Sequence, residues 1–201
     1  MKILQIYSHL NGVEFLMVHK PDLWEEIKST IHNIEAEKAF QKVSEERTKK
    51  GKILYSPKIM NRLFKEEFKK RGWSEKRISY YVNEDLETTR STVDIRDEKY
   101  QKQAIIDSGF FPFFTYNQVD FVKDRIAIEV QLGKYFSVQY DLHVKHTFFY
   151  GRGDIDVGIE IIPMHCLKCK MSSGVPWYEN ELTNIVREGR STPYVPSVII
   201  G

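Results

Sequence analysis

The chain has 201 residues, of which 41% are hydrophobic, 13% aromatic and 29% charged; 30 basic against 28 acidic side chains give a formal charge of +2. That balance excludes a disordered or fibrous chain, and the length fits one domain, or one with a small appendage. No apolar run approaches the roughly 20 residues that span a bilayer, and no basic stretch leads into an uninterrupted apolar one at the N-terminus, so a soluble, cytoplasmic protein is expected.

In chain order, Ile3, Leu4 and Ile6, then Val13, Phe15 and Met17, flank an Asn11-Gly12 pair and predict a hairpin. Pro21 and Asp22 open a predicted helix, with Asp22 as the cap, Glu25 three residues on, and Leu23, Trp24, Ile27, Ile31 and Ile34 as its apolar stripe. From Arg47 to Arg77 there are twelve Lys or Arg residues against three acids, interleaved with Tyr55, Phe64 and Trp73. Such a stretch can neutralise phosphates and release counterions, although a solvated helix face has the same composition. Within it a second amphipathic helix is predicted over 57–71, carrying Ile59, Leu63, Phe64 and Phe68 and stopped by Gly72. Residues 84–98 reverse the sign, with six acids against Arg90 and Arg96, and read as a polar connector or exposed helix.

The stretch 126–132, Ile-Ala-Ile-Glu-Val-Gln-Leu, alternates with period two. Ile126, Ile128, Val130 and Leu132 share one face of the predicted strand, and Ala127, Glu129 and Gln131 the other. A turn at Gly133-Lys134 leads to a helix over 137–150, with Val138, Leu142, Lys145 and Phe149 at helical spacing, and then to a second alternating strand over 155–162. Strand, helix, strand is the grammar of a βαβ crossover in a mixed sheet. A last helix over 176–188 and a short strand at 198–200 close the chain. No repeat or low-complexity tract interrupts it, so a single domain over 1–201 is the simplest parse.

Cys166 and Cys169 are the two cysteines, and one C-x-x-C pair cannot complete a four-ligand zinc site; two reduced thiols near a surface turn are expected. His143 and His146 read as ordinary surface or interface residues. The arrangement with chemical potential is Asp120, Glu129 nine residues on, and Gln131 two further. Two carboxylates brought together need a cation, and a hard ion such as Mg²⁺ takes a few carboxylate oxygens, waters and a substrate phosphate. The Val130 carbonyl could add a ligand. An exposed strand with alternating polar residues produces the same spacing by chance.

The segment 117–135, Asn-Gln-Val-Asp-Phe-Val-Lys-Asp-Arg-Ile-Ala-Ile-Glu-Val-Gln-Leu-Gly-Lys-Tyr, resembles the active-site segment of the BstYI/BglII type II restriction endonucleases, a branch of the PD-(D/E)xK nuclease superfamily. Similarity extends to 6–12, 53–57, 154–158 and 171–174, so it covers nearly the whole chain. The resemblance implies an α/β fold with a mixed central sheet flanked by helices. It also implies Asp120 and Glu129 as metal-binding carboxylates, the Val130 carbonyl as a third ligand, and Gln131 where most of the superfamily has Lys. An amide cannot act as a general base, so Gln131 would only orient the attacking water. Lys134, Ser172 and Ser173 would contact bases in the major groove. The implied enzyme is a homodimer that cuts duplex DNA at a GATC-centred palindrome, R-GATC-Y, with Mg²⁺. It would leave a four-base 5′ overhang and be accompanied by a DNA methyltransferase protecting the same site. A less specific metal-dependent DNase and a DNA-binding protein that has lost cleavage are the alternatives.

Overall fold

The computed structural model describes residues 1–133 and 137–201. Lys134, expected to contact bases, lies outside the described residues. The chain forms two compact units, one of residues 1–75 with 119–201 and one of residues 76–118.

In the larger unit the strands are β1 (Ile6–His9), β2 (Phe40–Val43), β3 (Ile53–Tyr55), β6 (Ile126–Val130), β7 (Val157–Ile161) and β8 (Ser197–Ile200). β4 (Ser74–Val82) and β5 (Phe113–Lys123) each run along the chain from one unit into the other. The main sheet has the order β1-β8-β7-β6-β5-β4. β6, β7 and β8 are parallel to one another, whereas β1 and β5 pair antiparallel at either side of them. The sheet is therefore mixed, as expected. The βαβ crossover is also present: from β6 the chain passes through α6 (Ser137–Tyr140), a π-helical segment (Asp141–His146) and α7 (Thr147–Gly151) before returning to β7.

Helices cover both faces of this sheet. α1 (Gly12–His19), α2 (Pro21–Asn33) and α3 (Pro57–Lys70) pack Leu16, Ile27, Ile31, Phe64 and Phe68 against Ile126, Ile128, Val130, Ile159 and Val198. On the other face Val138 and Leu142 of the crossover and Tyr178 and Ile185 of α9 (Tyr178–Glu188) meet Ile162 and Ile199. A period-two strand covered on both sides is wholly buried, and all five residues of β6 are. The solvated polar face that alternation suggests for this strand does not exist.

Several local expectations hold for the stated reasons. α3 starts at Ser56, whose hydroxyl accepts from the Ile59 amide at 3.4 Å, has Pro57 in its first turn, and stops before Gly72 at φ +81°. α2 starts at Pro21, but its cap position is Lys20 and Asp22 makes no capping hydrogen bond. The N-terminal hairpin is absent: residues 12–19 are helical, because β1 pairs with β8 and Gly12 packs directly on the Ser197 backbone. A Cβ at position 12 would stand 2.6 Å from the Ser197 oxygen. Leu16 then reaches the core while Met17 and Val18 remain exposed.

The smaller unit contains α4 (Leu86–Thr92) and α5 (Glu98–Asp107), capped by Asp85 and Asp97. The acidic stretch 84–98 thus supplies two helix starts, where carboxylates satisfy free amides. Buried Gln101 accepts from the Tyr81 amide at 2.8 Å and donates to the Thr92 carbonyl at 3.2 Å. Cys166 and Cys169 are free and exposed, as expected, on and just beyond the short helix α8 (His165–Lys168). Among the described residues no helix is long and apolar enough to cross a membrane.

Candidate active site

Lys123 at the end of β5 pairs with Ile126 at the start of β6, leaving the two-residue turn Asp124-Arg125 with φ of +45° and +69°. Left-handed conformations at both central positions match the twist of a tight hairpin. Asp156 holds this turn through Arg125, accepting from Nε at 2.8 Å and Nη2 at 2.5 Å. At the root of the hairpin Lys123 Nζ meets both Glu26 oxygens, at 2.8 and 3.0 Å, and the Arg71 carbonyl at 2.7 Å.

β5 and β6 are paired from Lys123–Ile126 to Phe121–Ile128, and Asp120 and Glu129 are the next residues on the two arms. Opposed residues of antiparallel strands project to the same face, so the hairpin brings the two carboxylates of the sequence pattern together. Asp120 is exposed, with Oδ2 3.5 Å from the Val130 amide; Glu129 is fully buried. Asp120, Lys65 of α3 and Glu75 line two depressions of about 270 and 110 Å³, the larger also lined by Lys69 and the smaller by Asn61 and Val130. Part of the basic segment therefore faces Asp120.

Behind Asp120 lies a charged cluster that sequence reasoning did not assemble. Lys145 Nζ stands 3.0 Å from Glu129 Oε1 and 2.7 Å from Asp141 Oδ1, while Gln131 Nε2 donates to Asp141 Oδ2. Glu160 sits beside Glu129 on β7, fully buried, and its Oε1 is 3.7 Å from Nε2 of the equally buried His146. The His146 ring lies on Gly158, where a Cβ would fall 2.2 Å from Nδ1. His146 is thus an interior residue, which corrects the surface or interface reading. His143 is partly exposed and pairs with Glu188 at 3.0 Å.

Burial pushes the Glu129 carboxyl well above the usual range, and the Asp120 and Asp141 charges push the same way against the pull of Lys145. Asp141 is raised to about 6, chiefly by burial, which Lys145 opposes. Burial also works against the charge on Lys145, but the Glu129 and Asp141 carboxylates outweigh it and hold its pKa above the ordinary value. His146 is driven down to about 3 by burial and, secondarily, by Lys145, so it is neutral. Glu160 is raised well above the carboxylate range by burial, then by Asp141 and Glu129.

These directions yield a testable pH dependence. A folded-state pKa raised above the unfolded value contributes stability that is full below the unfolded pKa, about 4.3 for Glu. It is lost as pH rises through the folded value. Glu160→Gln keeps the shape and removes the titration. In urea unfolding across about pH 4 to 8, wild type is expected to match the variant at the acid end and to lose stability relative to it as pH rises. Parallel curves would contradict the buried-acid assignment.

The sequence signal for Lys145 is its place in the otherwise apolar stripe Val138, Leu142, Phe149, where a lysine needs a buried partner. Ser172 and Ser173 lie in a separate loop, near Lys42 and Glu46 rather than in the carboxylate cluster.

A mixed sheet between helical layers, with two carboxylates on the arms of a hairpin that leads into a βαβ crossover, defines a restriction-endonuclease-like α/β core. The sequence profile of the restriction endonuclease BglII/BglIII family matches residues 4–201, so the chain belongs to that family and is a type II restriction endonuclease. Among solved structures it resembles restriction endonuclease BglII complexed with a DNA 16-mer, with a TM-score of 0.66, 20% identity, and coverage of 100% of this chain and 76% of the other. No curated protein matches the chain.

Proposed function

We propose that residues 1–201 act as one homodimeric, Mg²⁺-dependent domain in the cytoplasm, cutting duplex DNA at GATC-centred palindromes, R-GATC-Y, with a four-base 5′ overhang. The observation that carries the reading is the β5–β6 hairpin, which has Asp120 and Glu129 next in line on its two arms and Asp120 in the depression lined by Lys65 and Lys69.

The donor set fits a hard divalent ion. Glu129 Oε2 is buried with no hydrogen-bond partner, and Asp120 faces the Val130 amide. Among the described residues no three or more His, Cys, Asp or Glu side chains are grouped to hold a metal. Asp120, Glu129 and the Val130 carbonyl, the set that the family resemblance implies, would be the protein ligands, few enough for an ion that keeps its waters and takes a phosphate oxygen. When bound, such an ion lowers the pKa of a coordinated water and offsets charge developing on the phosphate.

The remaining work falls to this chain's own groups. Gln131 commits its amide N–H to Asp141, which leaves the carbonyl oxygen to accept from the attacking water; it orients that water without taking its proton. Lys65 and Lys69 carry the charge to hold the phosphate backbone. Lys134, Ser172 and Ser173 would read base edges, and a two-fold dimer would match the palindrome with one site per strand. A methyltransferase specific for the same site would protect host DNA.

Digestion of a sequenced plasmid with Mg²⁺, followed by sequencing of the cut ends, tests the specificity. Discrete cuts within R-GATC-Y with a 5′ overhang are expected. A smear would support a less specific DNase, and cuts confined to A-GATC-T or G-GATC-C would revise the outer base pair.

A further inference from the structure

Two residues of the crossover helix hold two residues of the site. Glu129 lies in β6 and Gln131 just beyond it, where the Gln131 backbone amide donates to the Ile161 carbonyl at 3.0 Å and ties this stretch to β7. Asp141 and Lys145 stand four apart on the π-helical segment, a rare conformation that is frequent at functional sites. Lys145 Nζ lies 3.0 Å from Glu129 Oε1 and 2.7 Å from Asp141 Oδ1, and Gln131 Nε2 donates to Asp141 Oδ2. Asp141 is buried and Lys145 largely so, and little water competes for these contacts.

Donor and acceptor chemistry then orients the amide. An ammonium only donates, a carboxylate has two accepting oxygens, and a side-chain amide has an accepting oxygen at one end and two N–H groups at the other. Lys145 engages one oxygen of each carboxylate, Oε1 of Glu129 and Oδ1 of Asp141. The second oxygen of Glu129 is buried with no hydrogen-bond partner, and the second of Asp141 takes the Gln131 N–H. A reversed Gln131 amide would set oxygen against oxygen at Asp141. It would also aim N–H groups at the lone pair with which a water attacks.

We propose that Lys145 and Asp141 are positioning residues for the hydrolysis, acting through Gln131: Lys145 claims Asp141 Oδ1, and the remaining oxygen holds the Gln131 amide with its carbonyl toward the attacking water. The inference rests on the water-orienting role proposed above for Gln131. Its sharpest consequence concerns the isosteric change Asp141→Asn. The new side chain keeps one oxygen, which Lys145, a donor only, takes for itself. The NH₂ group then faces Gln131, which has to turn its own carbonyl inward to meet it. Lys145→Met releases that oxygen, so that Asp141→Asn in the Lys145→Met background can again accept from Gln131.

Two measurements test this. One is single-turnover cleavage of a GATC-centred duplex at saturating Mg²⁺. The other needs neither metal nor DNA: hydrogen exchange of the Gln131 side-chain NH₂ by NMR, its signal assigned by its absence from Gln131→Ala. Asp141→Asn is expected to cleave at least about tenfold more slowly, since misplacing a reacting group by about 1 Å can cost about 10²-fold. It should also lose protection of the Gln131 NH₂ and cost nothing further in rate when added to Gln131→Ala. Adding Lys145→Met to Asp141→Asn should raise both cleavage and protection above those of Asp141→Asn alone. Wild-type cleavage or undiminished protection in Asp141→Asn overturns the proposal, as does an equal loss of rate when Asp141→Asn is added to Gln131→Ala. These results decide the matter even if the Lys145→Met double variant does not fold; a folded double variant slower than Asp141→Asn also overturns it. If wild type itself does not cut while protection changes as expected, the amide is held as described but the catalytic reading of Gln131 fails, and the proposal with it.

Discussion

Asp120→Asn is expected to reduce DNA cleavage at least about 10³-fold while leaving DNA binding equal or tighter. The substitution keeps the shape of the side chain and removes the charge that would share a divalent ion with Glu129. Charge stabilisation by such an ion is worth several kcal/mol, and each 1.36 kcal/mol is a factor of ten in rate. Binding moves the other way because Asp120 is exposed and lines the same depression as Lys65 and Lys69, so its negative charge opposes an incoming phosphate. Folding stability should be unchanged, since the side chain is outside the core. Single-turnover cleavage and equilibrium binding, measured side by side, separate these effects; loss of both together would mean that Asp120 serves the fold or the DNA contact and not the chemistry.

Lys145→Met carries the second large effect, and here the fold and the site are inseparable. The ammonium lies between Glu129 and Asp141, with buried Glu160 close by on β7. Removing one partner of a buried ion pair typically costs about 3–5 kcal/mol, because the opposite charge is left uncompensated. The carboxylates can escape that cost only by taking protons, so their folded-state pKa values rise further. The deficit should therefore be small near the ordinary carboxylate pKa and grow as pH rises. Asp141→Asn in the Lys145→Met background removes one of the stranded charges and is expected to restore part of the loss. Urea unfolding of the two single variants and the double variant measures this coupling. Additive losses would show that Lys145 does not serve this pair.

Much of this arrangement was legible in the sequence, wherever one local rule decided the outcome. The helix at 57–70 has a cap, a first-turn proline, an apolar stripe and a glycine stop, and its boundaries follow. The alternation at 126–132 and 155–162 marks the two central strands, and the spacing of Asp120 from Glu129 suits a hairpin with a two-residue turn. What escaped was set by long-range pairing. Residues 12–19 alternate like a strand, yet Gly12 must lie against the Ser197 backbone, nearly two hundred residues away, and the chain there is helical. β5 has the same period two, with Asn117, Val119 and Phe121 buried and Tyr116 and Asp120 exposed, but its buried positions include a polar Asn that blurs the apolar alternation. The buried cluster is the clearest case. Glu129, Asp141, Lys145 and Glu160 stand on two strands and the crossover helix between them, and no window of sequence contains the geometry that makes one lysine answer several acids.

The same limit applies to Ser172 and Ser173, whose partners Lys42 and Glu46 come from the opposite end of the chain. A Ser-Ser-Gly stretch read alone is a turn; what distinguishes it is the donor and the acceptor that the β2–β3 hairpin brings to it.

The central claim is that Asp120 and Glu129 jointly hold a divalent ion, and the most direct measurement is calorimetric titration of Mn²⁺ into wild type and Asp120→Asn, each bound to a duplex with a non-hydrolysable linkage at the scissile position. Saturable binding by wild type that is lost or weakened at least about tenfold in the variant, a difference of about 1.4 kcal/mol, is the expected result. Equal Mn²⁺ binding by the two proteins would contradict the assignment of the hairpin carboxylates as the metal site.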